Sequence, residues 1–330
     1  MDLRAGLVGL GMMGRNHARV MSSTDGVTFV GAVDPAGDQT GALDKSLIFD
    51  SVSELIEQNI DIAIVACPTV AHEIVAIELC DAGIHTLVEK PLAMDIAAAE
   101  RIAVAFEEAD LVGAVGHIER FNPAIRSMRT RIADGELGEL FQIATRRIGP
   151  FPNRILDVGV VKDLATHDLD LTAWVGGATF KQVSAHTAYK AGRKHEDLVT
   201  VTGQLENGVV TNHLVNWLSP MKERLVVATG EQGCFVADTL LADLTFFRNS
   251  EAPPAWEGIS RFRGVSEGDM IRFAMAKPEP LRTEFEGFID EVKNRKGEIV
   301  SMREGMAAVV AAEAVLESSS SGNSILIGEK

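Results

Sequence analysis

A glycine-rich turn near the N-terminus constrains the fold of this chain more than any other feature. The run Leu3–Leu10 is apolar, as in a buried strand, and Met13–Ser22 is rich in helix-forming residues. The turn between them, Gly9-Leu10-Gly11-Met12-Met13-Gly14, fits the pattern Gly-x-Gly-x-x-Gly. The first glycine of this pattern permits a tight turn, the second lets a pyrophosphate approach, and the third allows close helix–strand packing. The turn therefore predicts a βαβ unit that binds a dinucleotide.

Asp34 indicates which dinucleotide the glycine turn binds. It closes the next predicted strand, Val27–Asp34, 20 residues after Gly14. A carboxylate at this position accepts hydrogen bonds from ribose hydroxyls and repels a 2′-phosphate, so we expect NAD rather than NADP. Two alternatives stay open here, a glycine turn that serves packing alone and a flavin site. Arg15 and His17 are interpreted as helix-surface residues.

Alternation of helices and strands continues to about residue 118. We predict helices and strands, in chain order, at Val52–Gln58, Ile62–Cys67, Ala71–Ala82, Thr86–Glu89, Ile96–Ala109 and Leu111–Gly116. The strands are continuous apolar runs, as expected when helices cover both faces of a parallel sheet. Residues 1–118 are therefore predicted to form an α/β Rossmann domain with a doubly wound parallel sheet.

The pattern then changes to a region rich in strands. Helices are predicted at Asn122–Asp134, Lys162–Trp174, Leu281–Lys293 and Met302–Ser318, and strands at Leu140–Ile148, Phe180–Tyr189, Leu198–Leu205, Val209–Trp217, Arg224–Ala228, Cys234–Ala237 and Leu244–Phe247. Glu206-Asn207-Gly208 predicts a hairpin, because Asn and Gly tolerate positive φ. Residues 249–280 are interpreted as an irregular loop or lid. We therefore predict that residues 119–330 form an α+β domain with a largely antiparallel open sheet.

Composition excludes several classes of protein. The net charge of -16, with no basic cluster to offset it, argues against a nucleic-acid partner. The apolar stretches are shorter than the roughly 20 residues that span a bilayer, and no secretion signal is visible. Three widely spaced cysteines predict reduced thiols rather than disulfides or a zinc site. We expect a cytoplasmic protein without a metal site.

Two further groups of residues carry chemistry. Lys90, in Glu89-Lys90-Pro91, follows a predicted parallel strand, at the sheet edge where ligands bind, although a surface charge is an equal alternative. The i, i+4 spacing of Asp163 and His167 predicts that both lie on one helix face, with Asp170 a further turn along. A solvated acidic face is the alternative there, and a metal site lacks an obvious third ligand.

These residues, together with the glycine turn, resemble the Gfo/Idh/MocA family of NAD(P)-dependent oxidoreductases along essentially the whole chain. The resemblance implies that Lys90, Asp163 and His167 form the catalytic group: His167 takes the hydroxyl proton, Lys90 holds the reacting oxygen, and Asp163 orients the imidazole. It also implies a cofactor crevice lined by Met12, Met13, Pro68, Thr69, His72, Glu89 and Lys90.

Three segments resemble a branch of this family that oxidises C3 of UDP-N-acetylglucosamine: Gly116–Ala124, Arg146–Pro152 and Asp157–Asp163. The substrate-binding residues expected from them are His117, Arg120, Asn122, Arg146, Arg147 and Arg154. The arginines would screen a pyrophosphate. Because adjacent strand residues face opposite ways, an equal alternative is that at least one of Arg146 and Arg147 points to solvent. Lys162 departs from the aliphatic residue common in the branch.

Two other functions stay open. A same-fold dehydrogenase could act on a free sugar or an inositol-type polyol, and an NAD-binding sensor could hold the nucleotide without turnover. Intact catalytic positions and the lack of a recognisable effector module argue against the sensor. A sheet that exposes one face, together with the resemblance, predicts a homodimer or homotetramer.

Overall fold

The computed structural model describes residues 2–39, 41–152, 158–250 and 266–328. By internal contacts the chain forms two compact units, Met1–Ile118 with Glu279–Val310, and Glu119–Pro278 with Ala311–Lys330. Residues 279–310 thus group with the N-terminal segment. The division of the chain into functional domains at residue 118 stays a prediction.

The helices of the described residues lie close to the predicted positions. In chain order they are α1 (Met12–Ser22), α2 (Val52–Ile56), α3 (His72–Asp81), α4 (Ile96–Glu108), α5 (Pro123–Ala133), α6 (Thr166–Gly176), α7 (Pro280–Asn294) and α8 (Met302–Ser321). Among the described residues, none of these helices is long and apolar enough to cross a membrane.

A parallel sheet forms the centre of the first unit. Its strands are Leu3–Val8 (β1), Val27–Val33 (β2), Ile48–Phe49 (β3), Ile62–Val65 (β4), His85–Glu89 (β5) and Gly113–Gly116 (β6), in the spatial order β3-β2-β1-β4-β5-β6. The predicted doubly wound Rossmann sheet is confirmed. The order of strands reverses between β1 and β4, and ligands of such sheets bind at the carboxyl ends of the strands beside that point.

The second unit contains a mostly antiparallel sheet. Its strands are Leu140–Pro150 (β7), Phe180–Ala188 (β8), Leu198–Leu205 (β9), Val210–Asn216 (β10), Leu218–Gly230 (β11), Gly233–Asp238 (β12), Asp243–Ser250 (β13), Ser266–Arg272 (β14) and Ile325–Leu326 (β15). Their order is β14-β13-β12-β11-β7-β10-β9-β8-β15, and of the pairings only β7 with β10 is parallel within the described residues. The predicted antiparallel C-terminal sheet is confirmed.

Alternating burial fixes which face of this sheet carries the core. Thr211, His213 and Val215 of β10 are buried, while Val210, which precedes them, is half exposed and the intervening Asn212 and Leu214 are only partly buried. The buried face packs against α5, α6 and the C-terminal half of α8. The predicted turn at Asn207-Gly208 joins β9 to β10 with Gly208 at φ +91°.

One prediction in this unit is wrong. Residues 249–280 were expected to be irregular, but β14 lies within them and pairs with β13. Residues 251–265 lie outside the described residues. The segment Gly268–Arg272 is exposed, so the strand forms through backbone hydrogen bonds without the apolar alternation that marks a buried strand.

Candidate functional site

The three glycines of the N-terminal turn differ in the space around them. Gly9 has φ +100°, and a Cβ there would lie 2.6 Å from the backbone of Ala66 and Cys67. A Cβ on Gly14 would lie 1.9 Å from the Gly9 carbonyl oxygen, whereas Gly11 has no heavy atom within 4 Å of its Cβ position. The N-terminus of α1 therefore packs tightly on the strand ends and leaves open space at Gly11, which suits a pyrophosphate at the helix N-terminus.

Asp34 is tied to the same turn. Its Oδ2 accepts a hydrogen bond from the Leu10 backbone N–H at 2.7 Å, and its Oδ1 accepts one from Ala36 at 2.9 Å. A carboxylate has about four lone-pair positions, so these two bonds leave acceptors for ribose hydroxyls. Asp34 thus both supports the glycine turn and presents the chemistry expected of a ribose ligand.

His72 connects two loops at the carboxyl ends of β4 and β5. Its Nδ1 lies 3.0 Å from the Pro91 carbonyl oxygen and its Nε2 lies 3.0 Å from that of Cys67. Burial lowers the pKa of His72 despite these carbonyls, and a neutral imidazole donates to only one of them at a time. The neighbouring Pro68 precedes a 3-10 turn, Thr69–Ala71, that leads into α3. The cofactor contacts of Pro68, Thr69 and His72 stay predictions.

A buried hydrogen bond between His17 and Glu89 supports the turn that carries Lys90. His17, on α1, is 1% exposed, so its interpretation as a helix-surface residue is wrong. Its Nε2 lies 2.8 Å from Glu89 Oε1, and Glu89 Oε2 accepts a hydrogen bond from the Lys90 backbone N–H at 3.2 Å. Burial by itself would raise the pKa of Glu89, but His17, Lys90 and His72 lower it. Glu89 therefore stays ionised and holds the start of the Lys90 turn.

Asp163 and His167 lie in the second unit, where the helix predicted over Lys162–Trp174 is not α-helical throughout. Val161–Ala165 forms a π-helical turn, and His167 is the second residue of α6. The α-helical register assumed from the i, i+4 spacing is therefore wrong at Asp163, because a π turn closes its hydrogen bonds one residue later. Such turns inside helices are frequent at functional sites.

Glu196 fixes the start of this helical segment. Its Oε1 accepts a hydrogen bond from the Val161 N–H at 3.0 Å, and its backbone oxygen accepts one from Val160 at 3.0 Å. A Cβ on Gly159 would lie 1.9 Å from the Glu196 carboxylate, so a side chain there would displace that carboxylate. Asp163 follows directly, with its N–H bonded to the Gly159 oxygen.

Adjacent residues of β7 point to opposite faces, as strand geometry requires. Arg147 is buried, with Nε 2.9 Å from Asp168 Oδ2 and Nη1 2.8 Å from Glu119 Oε1. Arg146 is half exposed and pairs with Glu223 at 3.0 Å. Of the two arginines, Arg147 is therefore the one that points inward, and its charge is matched by two carboxylates.

The other predicted substrate residues also have partners within the second unit. Arg120 makes two bonds to Asp170, at 2.8 and 2.6 Å. The Asn122 Oδ1 accepts a hydrogen bond from the Ala124 N–H at 3.0 Å and so caps α5. The unexpected Lys162 pairs with Glu313 at 2.7 Å.

The remaining predicted positions divide between the first unit and the undescribed residues. His117, in the first unit, is buried at the end of β6. Arg154 lies outside the described residues. The substrate contacts of all these residues stay predictions.

The first unit brings the glycine turn and Asp34 together and holds Lys90, while the second holds Asp163 and His167. Sequence reasoning missed the acids and the arginine that bond to these elements, namely Glu119, Asp168, Glu196 and Arg224, and it missed the buried acid Glu284. They come from separate elements and share no spacing, so no pattern could have found them. In the part of the chain that the structure describes, no three His, Cys, Asp or Glu side chains form a metal site.

Family models match both halves of the chain. The model of the oxidoreductase family with an NAD-binding Rossmann fold, GFO_IDH_MocA, matches residues 3–117, and that of the GFO/IDH/MocA C-terminal domain matches residues 125–236. The chain belongs to the Gfo/Idh/MocA family. It is therefore a dehydrogenase of the oxidoreductase family, and its cofactor is NAD.

Relatives in the Gfo/Idh/MocA family act on different substrates. The UDP-N-acetylglucosamine 3-dehydrogenase of Acidithiobacillus ferrooxidans is 33% identical over 64% of this chain and 66% of its own length, just under two thirds. The inositol 2-dehydrogenase of Corynebacterium glutamicum is 28% identical over 65% of this chain and 67% of its own length.

The solved structure of the Acidithiobacillus enzyme has a TM-score of 0.82 at 26% identity, covering 96% of this chain and 98% of that chain. The structure of GenD2, from gentamicin A biosynthesis, shares the fold at a TM-score of 0.80 and 22% identity, covering 99% of this chain and 97% of that chain. That structure is a complex with NAD.

The spacing of the glycines in this Gfo/Idh/MocA chain yields a first prediction. We expect Gly14→Ala to lower the free energy of unfolding by about 1–3 kcal/mol, because its Cβ collides with a backbone oxygen. Gly11→Ala, the matched control, should change it by less than about 0.5 kcal/mol but weaken NAD binding, because the new methyl enters the open space. Urea denaturation and calorimetric titration with NAD measure both. A Gly14→Ala protein as stable as the wild type would contradict the packing role.

The arginine pair of β7 yields a second prediction. Arg147→Met should lower the free energy of unfolding by about 3–5 kcal/mol, because it leaves the buried Asp168 without its cation and Glu119 with Arg224 alone. Arg146→Met, the matched control on the exposed face, should cost about 0–1 kcal/mol. Urea denaturation of both variants tests this difference, and equal losses would refute the assignment of Arg147 to the interior.

Proposed function

We propose that this protein oxidises a secondary alcohol of a sugar nucleotide, most specifically C3 of UDP-N-acetylglucosamine, and transfers the hydride to NAD. The observation that carries the proposal is the similarity to the Acidithiobacillus UDP-N-acetylglucosamine 3-dehydrogenase, which extends to 96% of this chain in the structural comparison. Activity in the cytoplasm as a homodimer or homotetramer is part of the same proposal.

The first unit fits NAD by its own geometry. The open space at Gly11 and the N-terminus of α1 suit the pyrophosphate, and Asp34 offers acceptors to a ribose. NAD, when bound, supplies the acceptor for the hydride that leaves the carbinol carbon. Everything else in the reaction has to come from residues of the chain.

Three residues are proposed to act on the alcohol. His167 takes the hydroxyl proton as general base, which requires a neutral imidazole at working pH. Lys90 holds the reacting oxygen and stabilises the negative charge that develops on it. Asp163 orients the His167 imidazole. The ionised Glu89 supports this scheme, because it bonds the Lys90 backbone and so limits where the lysine can lie.

A dehydrogenase of a free sugar or polyol is the second candidate, and one observation favours it. A pyrophosphate carries negative charge that cations must balance, yet Arg120, Arg146 and Arg147 each have a carboxylate partner in the second unit. A neutral polyol needs no such cations. Inositol dehydrogenases are also among the similar proteins, at 28% identity.

Turnover with a panel of substrates separates these candidates. We expect NADH formation from NAD and UDP-N-acetylglucosamine, measured at 340 nm with a carbonyl trap because alcohol oxidation is limited by an unfavourable equilibrium. Inositol, free N-acetylglucosamine and free glucose are the comparison substrates. Turnover with a free polyol alone would replace the sugar nucleotide as substrate class and keep the catalytic group.

The catalytic group yields a separate prediction. His167→Ala should lower kcat by about 10²–10⁴-fold, the usual contribution of a general base, while the dissociation constant for NAD stays unchanged. His186→Ala on β8 is the matched control, because that histidine is exposed. A His167→Ala enzyme with full turnover would remove His167 from the mechanism.

A further inference from the structure

Glu284 is a buried acid that the proposed mechanism does not use. It lies on α7 between the buried residues Leu281 and Phe285, and it is 2% exposed. Among the described residues, neither of its carboxyl oxygens has a hydrogen-bond partner. An ionised carboxylate in such a place would lose its hydration without compensation, so the neutral acid is the form that the site tolerates.

The Glu89 carboxylate, in the same unit, acts electrostatically on Glu284. The negative charge of Glu89 acts on Glu284 and, after burial, is the second cause that raises the pKa of Glu284 well above its ordinary value of 4.5. Two carboxylates that share a buried region do not both ionise readily. Glu89 has His17 at 2.8 Å and the Lys90 N–H at 3.2 Å, whereas Glu284 has no comparable donor in the described residues. The proton of the pair therefore resides on Glu284.

The charged groups around this pair come from several elements. Glu89 on β5 acts on Glu284, and His17 on α1, Lys90 after β5 and His72 on α3 act on Glu89. Closer to the surface, α1 and the start of α7 are joined by the exposed pair of Arg19 and Glu279. Further along α7 the pair of Arg282 and Glu286 is also solvent-accessible. Glu284 is thus electrostatically coupled to Glu89, the carboxylate that bonds the Lys90 backbone.

We propose that Glu284 is a positioning residue for Lys90: in its protonated form it lets Glu89 stay ionised and bonded to both His17 and the Lys90 backbone. When Glu284 loses its proton, two buried negative charges repel and the bond from Lys90 to Glu89 weakens. Only the effect of this positioning on catalysis rests on the proposed function. The coupling itself belongs to the fold of the first unit.

Unfolding at different pH values tests where the proton lies. Because the folded form of Glu284 binds its proton more tightly than the unfolded form, its stabilising contribution is complete below pH 4.5 and is lost as the pH rises through the folded pKa. Gln at this position is neutral at every pH. As the pH increases from 4.5 to the folded pKa of Glu284, the unfolding equilibrium constant of the wild type should therefore rise relative to that of Glu284→Gln. The rise is up to about tenfold per pH unit.

Glu286→Gln on the same helix is the matched control, since Glu286 is 55% exposed, and it should show no such trend. Any free-energy cost of burying the Gln amide is independent of pH, so it does not alter the slope of unfolding free energy against pH. Parallel pH profiles for the wild type and Glu284→Gln would overturn the inference.

Hydrogen exchange of the Lys90 backbone amide tests the positioning itself. As the pH rises, protection of this amide should fall in the wild type relative to Glu284→Gln, because Glu89 releases it only when Glu284 ionises. In turnover, any fall in kcat that accompanies ionisation of Glu284 as the pH rises should be absent in Glu284→Gln and unchanged in Glu286→Gln. Equal Lys90 protection in both proteins at every pH would overturn the positioning role.

Failure of the proposed function is distinguishable from failure of this inference. If no alcohol in the substrate panel is oxidised, the function fails, while the unfolding and exchange measurements still decide whether Glu284 holds the proton and controls the Lys90 amide.

Discussion

The contact between Gly14 and the Gly9 carbonyl oxygen is the constraint on which the first unit depends. A single methyl group at Gly14 would lie 1.9 Å from that oxygen, so α1 can meet the end of β1 only without a side chain there. This contact places the N-terminus of α1 beside the point where the strand order reverses. It also brings the Leu10 N–H to Asp34, which links the glycine turn to the carboxylate proposed to bind a ribose of NAD.

Buried charge shapes both units in the same way. An ion removed from water has to be paired or neutralised, so each buried ionisable group determines what its neighbours can be. In the first unit, Glu89 is paired with His17 and Glu284 is the acid that stays neutral. In the second, Arg147 lies between Glu119 and Asp168, the residue next to His167. The segments that carry Lys90 and His167 are thus both tied to buried ionic groups.

Electrostatics also bears on the choice between substrates. The Gfo/Idh/MocA relatives include enzymes of a nucleotide sugar and of inositol, which differ above all in charge. This chain has a net charge of -16, and its inward Arg147 is matched by two acids. The overall resemblance favours the nucleotide sugar, while the pairing of the arginines favours a neutral polyol. Substrate identity therefore depends on how much positive charge remains for a ligand, and not on the fold.

The sequence by itself determined the Rossmann unit, the cofactor and the antiparallel character of the second sheet, because apolar periodicity and glycine spacing act over a few neighbouring residues. It did not determine the strand β14, which is exposed and forms only by pairing with β13. Nor did it show the π turn at Asp163, which differs from an α turn by one hydrogen-bond step. The burial of His17 beside Glu89, the pairing of Arg147 and the neutrality of Glu284 were decided by tertiary structure. They depend on charges brought together from separate elements, and a buried charge has no signature in local sequence.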